Sequence, residues 1–180
     1  MIEAKLPEEA AQLYVKASDT TMLEDRPQHA SEYAQRGAQL LVRLKKYPEA
    51  IKELTKIIDI YNSVNDSGPS SAGKIIIYII LINLVMKNVE IANQVFQANR
   101  RHLHPQEAYV MDQLITGYAE VDIQKTINAF DNEVIKNLDN EYCKLTRSMQ
   151  EELKEKLKMI KDNTISEADK YRELEEDLMR

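Results

Sequence analysis

The side chains best suited to metal binding or nucleophilic chemistry are few: three histidines and one cysteine in 180 residues. His102 and His104 stand two apart between Arg100-Arg101 and Pro105, in a stretch that reads as a turn between helices. Side chains so placed point in different directions, and no carboxylate stands at metal-ligand spacing, so the pair reads as a solvated turn rather than a ligand set. His29 falls in the first turn of an expected helix and supports nothing more specific. Cys143 follows Tyr142 on another helix, where a packed or half-exposed thiol is the natural state. A single cysteine also excludes an intramolecular disulfide and a cysteine zinc site. The four glycines are isolated, and no phosphate-binding loop or nucleophile signature occurs. The chain therefore reads as a non-enzyme with no catalytic residue, metal or cofactor.

What remains is chemistry of charge. Arg36, Arg43, Lys45, Lys46, Lys52 and Lys56 cluster on the expected second and third helices, and Arg100-Arg101 close the fifth. Such residues can form a binding face on a helical stack or simply solvate a helix surface, and pattern alone leaves both readings open. Near the other terminus, Glu173-Leu174-Glu175-Glu176-Asp177-Leu178 sets four acids beside two leucines, either a recognition peptide or a frayed helix end. The net charge of −6 argues against nucleic acid or an anionic membrane as the main partner, since both need a concentrated basic face.

The elements that must position these charges are helices. Pro7, Pro27, Pro48 and Pro69 recur about twenty residues apart, each able to open a helix because the first turn does not use the missing N–H. Between them apolar residues keep helical spacing: Leu6, Ala10, Leu13, Ala17; then Ala30, Ala34, Gly37, Leu41, Leu44; then Ile51, Leu54, Ile58, Tyr61. Asp66-Ser67-Gly68-Pro69 marks a turn, with Ser70 or Ser71 available as a cap. The run over residues 75–86 is apolar on nearly every side, too short for a span of about 20 residues, and reads as a buried helix in mid-stack. Pro105 opens a further helix. Asp122 caps another, carrying Ile123, Ile127, Phe130 and Val134, and Asp139 or Asn140 caps the last, with Tyr142, Leu145 and Met149. Gly37 and Gly117 allow close approach of neighbours. About eight helices in pairs predict an all-α, tetratricopeptide-like right-handed superhelix of antiparallel helix pairs, over residues 1–148, with a charged helical extension and acidic tail over 149–180. The first residues lack a secretory or transit signal, which points to the cytoplasm.

The stretches Pro7-Glu8-Glu9-Ala10-Ala11-Gln12-Leu13-Tyr14, Ala38-Gln39-Leu40-Leu41-Val42-Arg43, Tyr47-Pro48-Glu49-Ala50 and Leu138-Asp139-Asn140-Glu141-Tyr142-Cys143-Lys144-Leu145, taken together, carry a family likeness. In this order and spacing they resemble the C-terminal half of the gamma-type soluble NSF attachment proteins (SNAP family), over about residues 6–148. The resemblance implies an adaptor without an active site, which grips the SNARE bundle and engages the N-ethylmaleimide-sensitive ATPase in vesicle-mediated transport. It implies a SNARE-binding role for Arg43, Lys45, Lys46, Arg100 and Arg101, and an ATPase-binding role for Glu120, Asp122, Glu175, Glu176, Asp177 and Leu178. Membrane association is then peripheral and through partners.

The departures are specific. Family members are longer, with helices ahead of the matching stretch, so the resemblance implies a truncated or shortened form. Alpha-type members end one residue after the tail leucine, whereas Met179 and Arg180 both follow Leu178. After Ser148 the likeness stops, and Met149, Leu153, Leu157 and Ile160 lie on a charged helix able to dock on the stack or pair with a partner helix. The alternative reading is a generic tetratricopeptide-like scaffold with an unrelated peptide partner.

Overall fold

The computed structural model describes the backbone of residues 5–63 and 69–178, with side chains over 6–62 and 72–163. Prolines open the helices as their chemistry requires: α1 (Lys5–Leu23) carries Pro7 in its first turn, α2 (Pro27–Arg43) and α4 (Pro69–Val85) begin on proline, and α3 (Tyr47–Ser63) has Pro48 second. Then come α5 (Val89–Asn99), a 3-10 turn (Arg100–His102) and α6 (Pro105–Ala119). The chain finishes with α7 (Ile123–Phe130), α8 (Glu133–Lys136) and α9 (Asn140–Leu178). The turn expected at Asp66-Ser67-Gly68 lies outside the described residues, as do the side chains of Ser70 and Ser71.

Nine α-helices therefore stand among the described residues where about eight were expected. The extra one arises at Asn132, whose side chain accepts from the Val134 N–H at 2.9 Å and starts a new helix where the pattern from Ile123 to Val134 looked continuous. Asp122 caps α7 as expected, accepting from the Lys125 N–H at 2.9 Å. Asp139 does something else with its carboxylate: it accepts from the Gln35 and Gln39 side-chain amides at 3.2 and 2.9 Å, tying α2 to the start of α9.

Four inter-helix turns share one backbone solution. Asp25, Lys45, Lys87 and Val121 lie in the left-handed region, at φ of 57°, 59°, 63° and 58°. In each turn the following N–H reaches five residues back: Arg26 to Thr21, Lys46 to Leu41, Asn88 to Asn83 and Asp122 to Gly117, at 2.8 to 2.9 Å. This is the Schellman closure, which satisfies the carbonyls orphaned at a helix end and usually employs glycine. None of these four is glycine.

The helices pack as neighbours in sequence, α1 on α2, α2 on α3, and so on through α7, while α9 returns to lie against α2, α4, α7 and α8. That return explains the all-round apolarity of α4, whose residues from Ile75 to Ile82 are buried among α3, α5, α6 and α9. Tyr78 of α4 stacks face to face on Tyr142 of α9, with ring centroids 3.6 Å apart. Burial drives both phenol pKa values up, because phenolate cannot be solvated there. At the first helix the expected apolar stripe is displaced: Ala11 and Ser18 face α2, while Leu6 and Leu13 are 61% and 66% exposed. Small side chains face the partner because α1 approaches it closely, with Gly37 against Tyr14 and Val15. The residue boundary at 148 lies inside α9, and Met149 and Leu153 join the same core as Leu145.

Candidate partner-binding surfaces

The C-terminus of α2 concentrates cations where the helix dipole favours them. Arg43 ends the helix, and Lys45 stands in the left-handed turn position; both are exposed, and neither has a carboxylate within ion-pairing distance among the described residues. The return of α9 adds Lys144 beside them. Val42, Arg43, Lys45 and Tyr47 on one side and Glu141, Lys144, Leu145 and Ser148 on the other line an open groove of about 240 Å³. Lys144 pairs with Glu141 at 2.8 Å, so the groove keeps a net positive wall with one acid set into it. Sequence reasoning missed Lys144 because it joins the patch only through the long-range packing of α9 on α2.

Of the other cations of the expected cluster, Lys52 is exposed, while Lys46, Lys56 and Arg36 have partners. The ammonium of Lys46 is held by Glu8, whose hydrogen bond raises the lysine pKa. Lys56 loses hydration on partial burial, which by itself lowers its pKa, but bonds to Asp19 at 2.6 Å and to Glu53 outweigh this and raise it. Glu53 is buried, so Lys56 is the counter-charge that makes that burial tolerable. Arg36 bonds to Tyr14, which raises its pKa. These three tie α2 and α3 to α1 rather than forming a free face.

Arg100 and Arg101 do not join Arg43 and Lys45. Consecutive helices alternate in direction, so the turns after α2, α4 and α6 share one end of the stack and the turn after α5 lies at the other. The start of α4 confirms the pairing of ends, since a Cβ added at Gly73 would fall 2.9 Å from the His102 carbonyl oxygen. Arg100 sits over the Phe96 ring, 5.4 Å from its centroid, and Arg101 donates to the His102 ring at 3.1 Å. His104 is the N-cap residue of α6, and its N–H donates to Glu107 at 2.8 Å. Both histidines serve the turn, and no cluster of three or more metal-binding side chains occurs among the described residues.

The acidic candidates divide in the same way. Glu120 pairs with Lys125 at 3.3 Å and remains exposed, while Asp122 spends a carboxylate oxygen on the cap of α7. Both stand at the Arg43 and Lys45 end of the stack. Glu175, Glu176, Asp177 and Leu178 lie on the backbone of α9, and their side chains are outside the described residues. Cys143 is half-buried, its thiol donating to the Leu138 carbonyl at 3.1 Å. No helix among the described residues is long and apolar enough to cross a membrane. No model of a known protein family matches this chain.

Proposed function

We propose that this chain is an adaptor that links SNARE complexes to the N-ethylmaleimide-sensitive ATPase for SNARE disassembly in vesicle-mediated transport. The observation that carries the reading is the collinear resemblance of residues 6–148 to gamma-type SNAP adaptors. An all-helical stack of adjacent pairs, with cations exposed at helix ends, supports it. Arg43 and Lys45, with Lys144 beside them, are the basic contacts for the acidic SNARE bundle. Arg100 and Arg101, at the other end of the stack, form a second and separate contact. Glu120 and the tail Glu175-Glu176-Asp177-Leu178 are the acidic contacts for the ATPase, and Asp122 holds α7 in place beside Glu120. Membrane association is peripheral and comes through these partners.

Pull-down of the purified chain with an assembled SNARE bundle and with the ATPase tests the reading, and binding to neither would sink it. The Arg43→Glu, Lys45→Glu double variant sharpens the test. It should weaken SNARE capture and flatten its salt dependence, because contacts between exposed charges are screened by salt. Binding that ignores both changes would favour a scaffold for an unrelated peptide. Lys46→Glu is the wrong probe, since it also breaks the tie to Glu8.

A further inference from the structure

Helix α9 runs on past the last residue it buries among those whose side chains are described. Tyr142, Leu145, Met149 and Leu153 are buried in the core and Leu157 packs at its edge, but Met159 and Ile160 are 65% and 53% exposed. The helical backbone nevertheless continues to Leu178, about 30 Å beyond Leu157 at 1.5 Å per residue. Helical segments of this length hold together in water chiefly by packing an apolar stripe on something else.

The sequence of α9 from Leu157 onward has such a stripe. Leu157, Ile160, Thr164, Glu167, Tyr171, Leu174 and Leu178 follow one another in steps of three and four, the heptad seam of a coiled coil. Flanking it on one side are Lys156, Asn163, Lys170 and Asp177, and on the other Lys161, Ala168 and Glu175. In both flanks the outermost residues are a lysine near the stack and an acid near the tip. That distribution discriminates between the two ways in which the helix could pair with itself.

In a parallel pair, opposite flanks meet, setting Lys156 against Lys161 of the second copy and leaving Lys170 with Glu175 as the one favourable contact. In an antiparallel pair, like flanks meet. With Leu157 opposite Leu174, Ile160 opposite Tyr171 and Thr164 opposite Glu167, Lys156 falls between Asp177 and Lys170, while Lys161 falls between Glu175 and Ala168 and so meets an acid with no opposing lysine, each contact occurring twice by the twofold symmetry. The central layer then offers a hydroxyl donor to a carboxylate. A slip of seven residues would place Glu167 against Tyr171 or Leu157 instead, so this layer also sets the register. Lys156 bonds Glu152 along its own helix at 2.7 Å, but an ammonium has three donors and that exposed pair leaves two for Asp177.

We propose that α9 from Leu157 onward pairs antiparallel with the same segment of a second copy of this chain, through the seam from Leu157 to Leu174. The interface stands whether or not the SNARE reading holds. Sedimentation equilibrium of the full chain at low salt should give a dimer that dissociates as salt is raised. Lys161→Glu should weaken association severalfold, because both symmetry-related pairs with Glu175 become repulsions, whereas in a parallel pair it would face Lys156 and strengthen association. Adding Glu175→Lys should restore it. Lys161 is exposed, and an unchanged far-ultraviolet circular dichroism spectrum with a cooperative melt verifies that each variant folds. Orientation is read in a Cys143→Ala background. Leu157→Cys mixed with Leu174→Cys should form an oxidised cross-linked dimer, and Leu174→Cys alone should not. A monomer at every concentration and salt, association indifferent to the charge swaps, or self cross-linking of Leu174→Cys would each overturn the proposal.

Discussion

Replacing a helical glycine by alanine sets backbone propensity against space, and this fold supplies both outcomes. Alanine is favoured over glycine inside a helix by about 1 kcal/mol. At Gly37 a Cβ would lie 3.5 Å from Tyr14 Cβ and from Val15 Cγ2, ordinary van der Waals distances, so the propensity gain should survive. At Gly117 the same atom would fall 2.3 Å from Thr126 Oγ1 and 3.3 Å from Thr126 Cα. The hydroxyl cannot swing aside freely, because it donates to the Asp122 carbonyl at 2.7 Å, and relieving the crowding against the Thr126 backbone requires α6 and α7 to separate. Overpacking of this kind costs about 1–3 kcal/mol, and the strained hydrogen bond about 1 more, against a gain of about 1. Gly117→Ala should therefore lose about 2 kcal/mol and lower the melting temperature by roughly 4–8 °C, while Gly37→Ala should raise it by roughly 2–4 °C. Circular dichroism melts of both variants measure this. Thr126→Ala in the Gly117→Ala background should recover part of the loss, and the double-mutant cycle should show coupling of about 1 kcal/mol. A Gly117→Ala protein that melts at or above the parent would refute the packing argument.

Val121 is a β-branched residue in the left-handed region and exposed, so Val121→Gly should stabilise by about 1 kcal/mol in a urea titration, with an unchanged slope. The Tyr142 hydroxyl is buried without a hydrogen-bond partner among the described residues; Tyr142→Phe should keep the stack on Tyr78 and raise stability by about 1 kcal/mol in the same titration. Hydrogen bonds from Lys156 first and Lys87 second lower the Glu152 pKa. Its contribution is thus fully present above the ordinary glutamate range and is lost as acid protonates the folded carboxylate. Because the group is nearly half exposed, Glu152→Gln should remove only a few tenths of a kcal/mol of the acid-dependent stability between about pH 6 and pH 2, read from melts across that range.

Helix existence and type were legible in the residues themselves, because proline, capping residues and apolar spacing act within one or two turns of chain. Pro27, Pro69 and Pro105 start helices, Asp122 caps one, and the run over 75–86 is buried as far as Leu84, with Val85 and Met86 partly buried. The left-handed turns at Lys45 and Val121 were not legible, because neither lysine nor valine signals a conformation that glycine ordinarily supplies; the closing hydrogen bonds select it. The exposed Leu6 and Leu13 show a similar limit: periodicity finds a stripe, but which stripe is buried depends on how closely α2 approaches.

The candidate surfaces divide along the same line. That lysines and arginines crowd α2 and α3 is a property of the chain. That Lys46 belongs to Glu8 and Lys56 to Asp19 and Glu53, while Arg43 and Lys45 stay exposed and gain Lys144, follows from helices brought together across a hundred residues. Short-range rules determine helices and their ends because the atoms involved are covalently close. Which charges remain available to a partner is decided by tertiary packing, since an ion pair forms wherever a carboxylate is placed within reach.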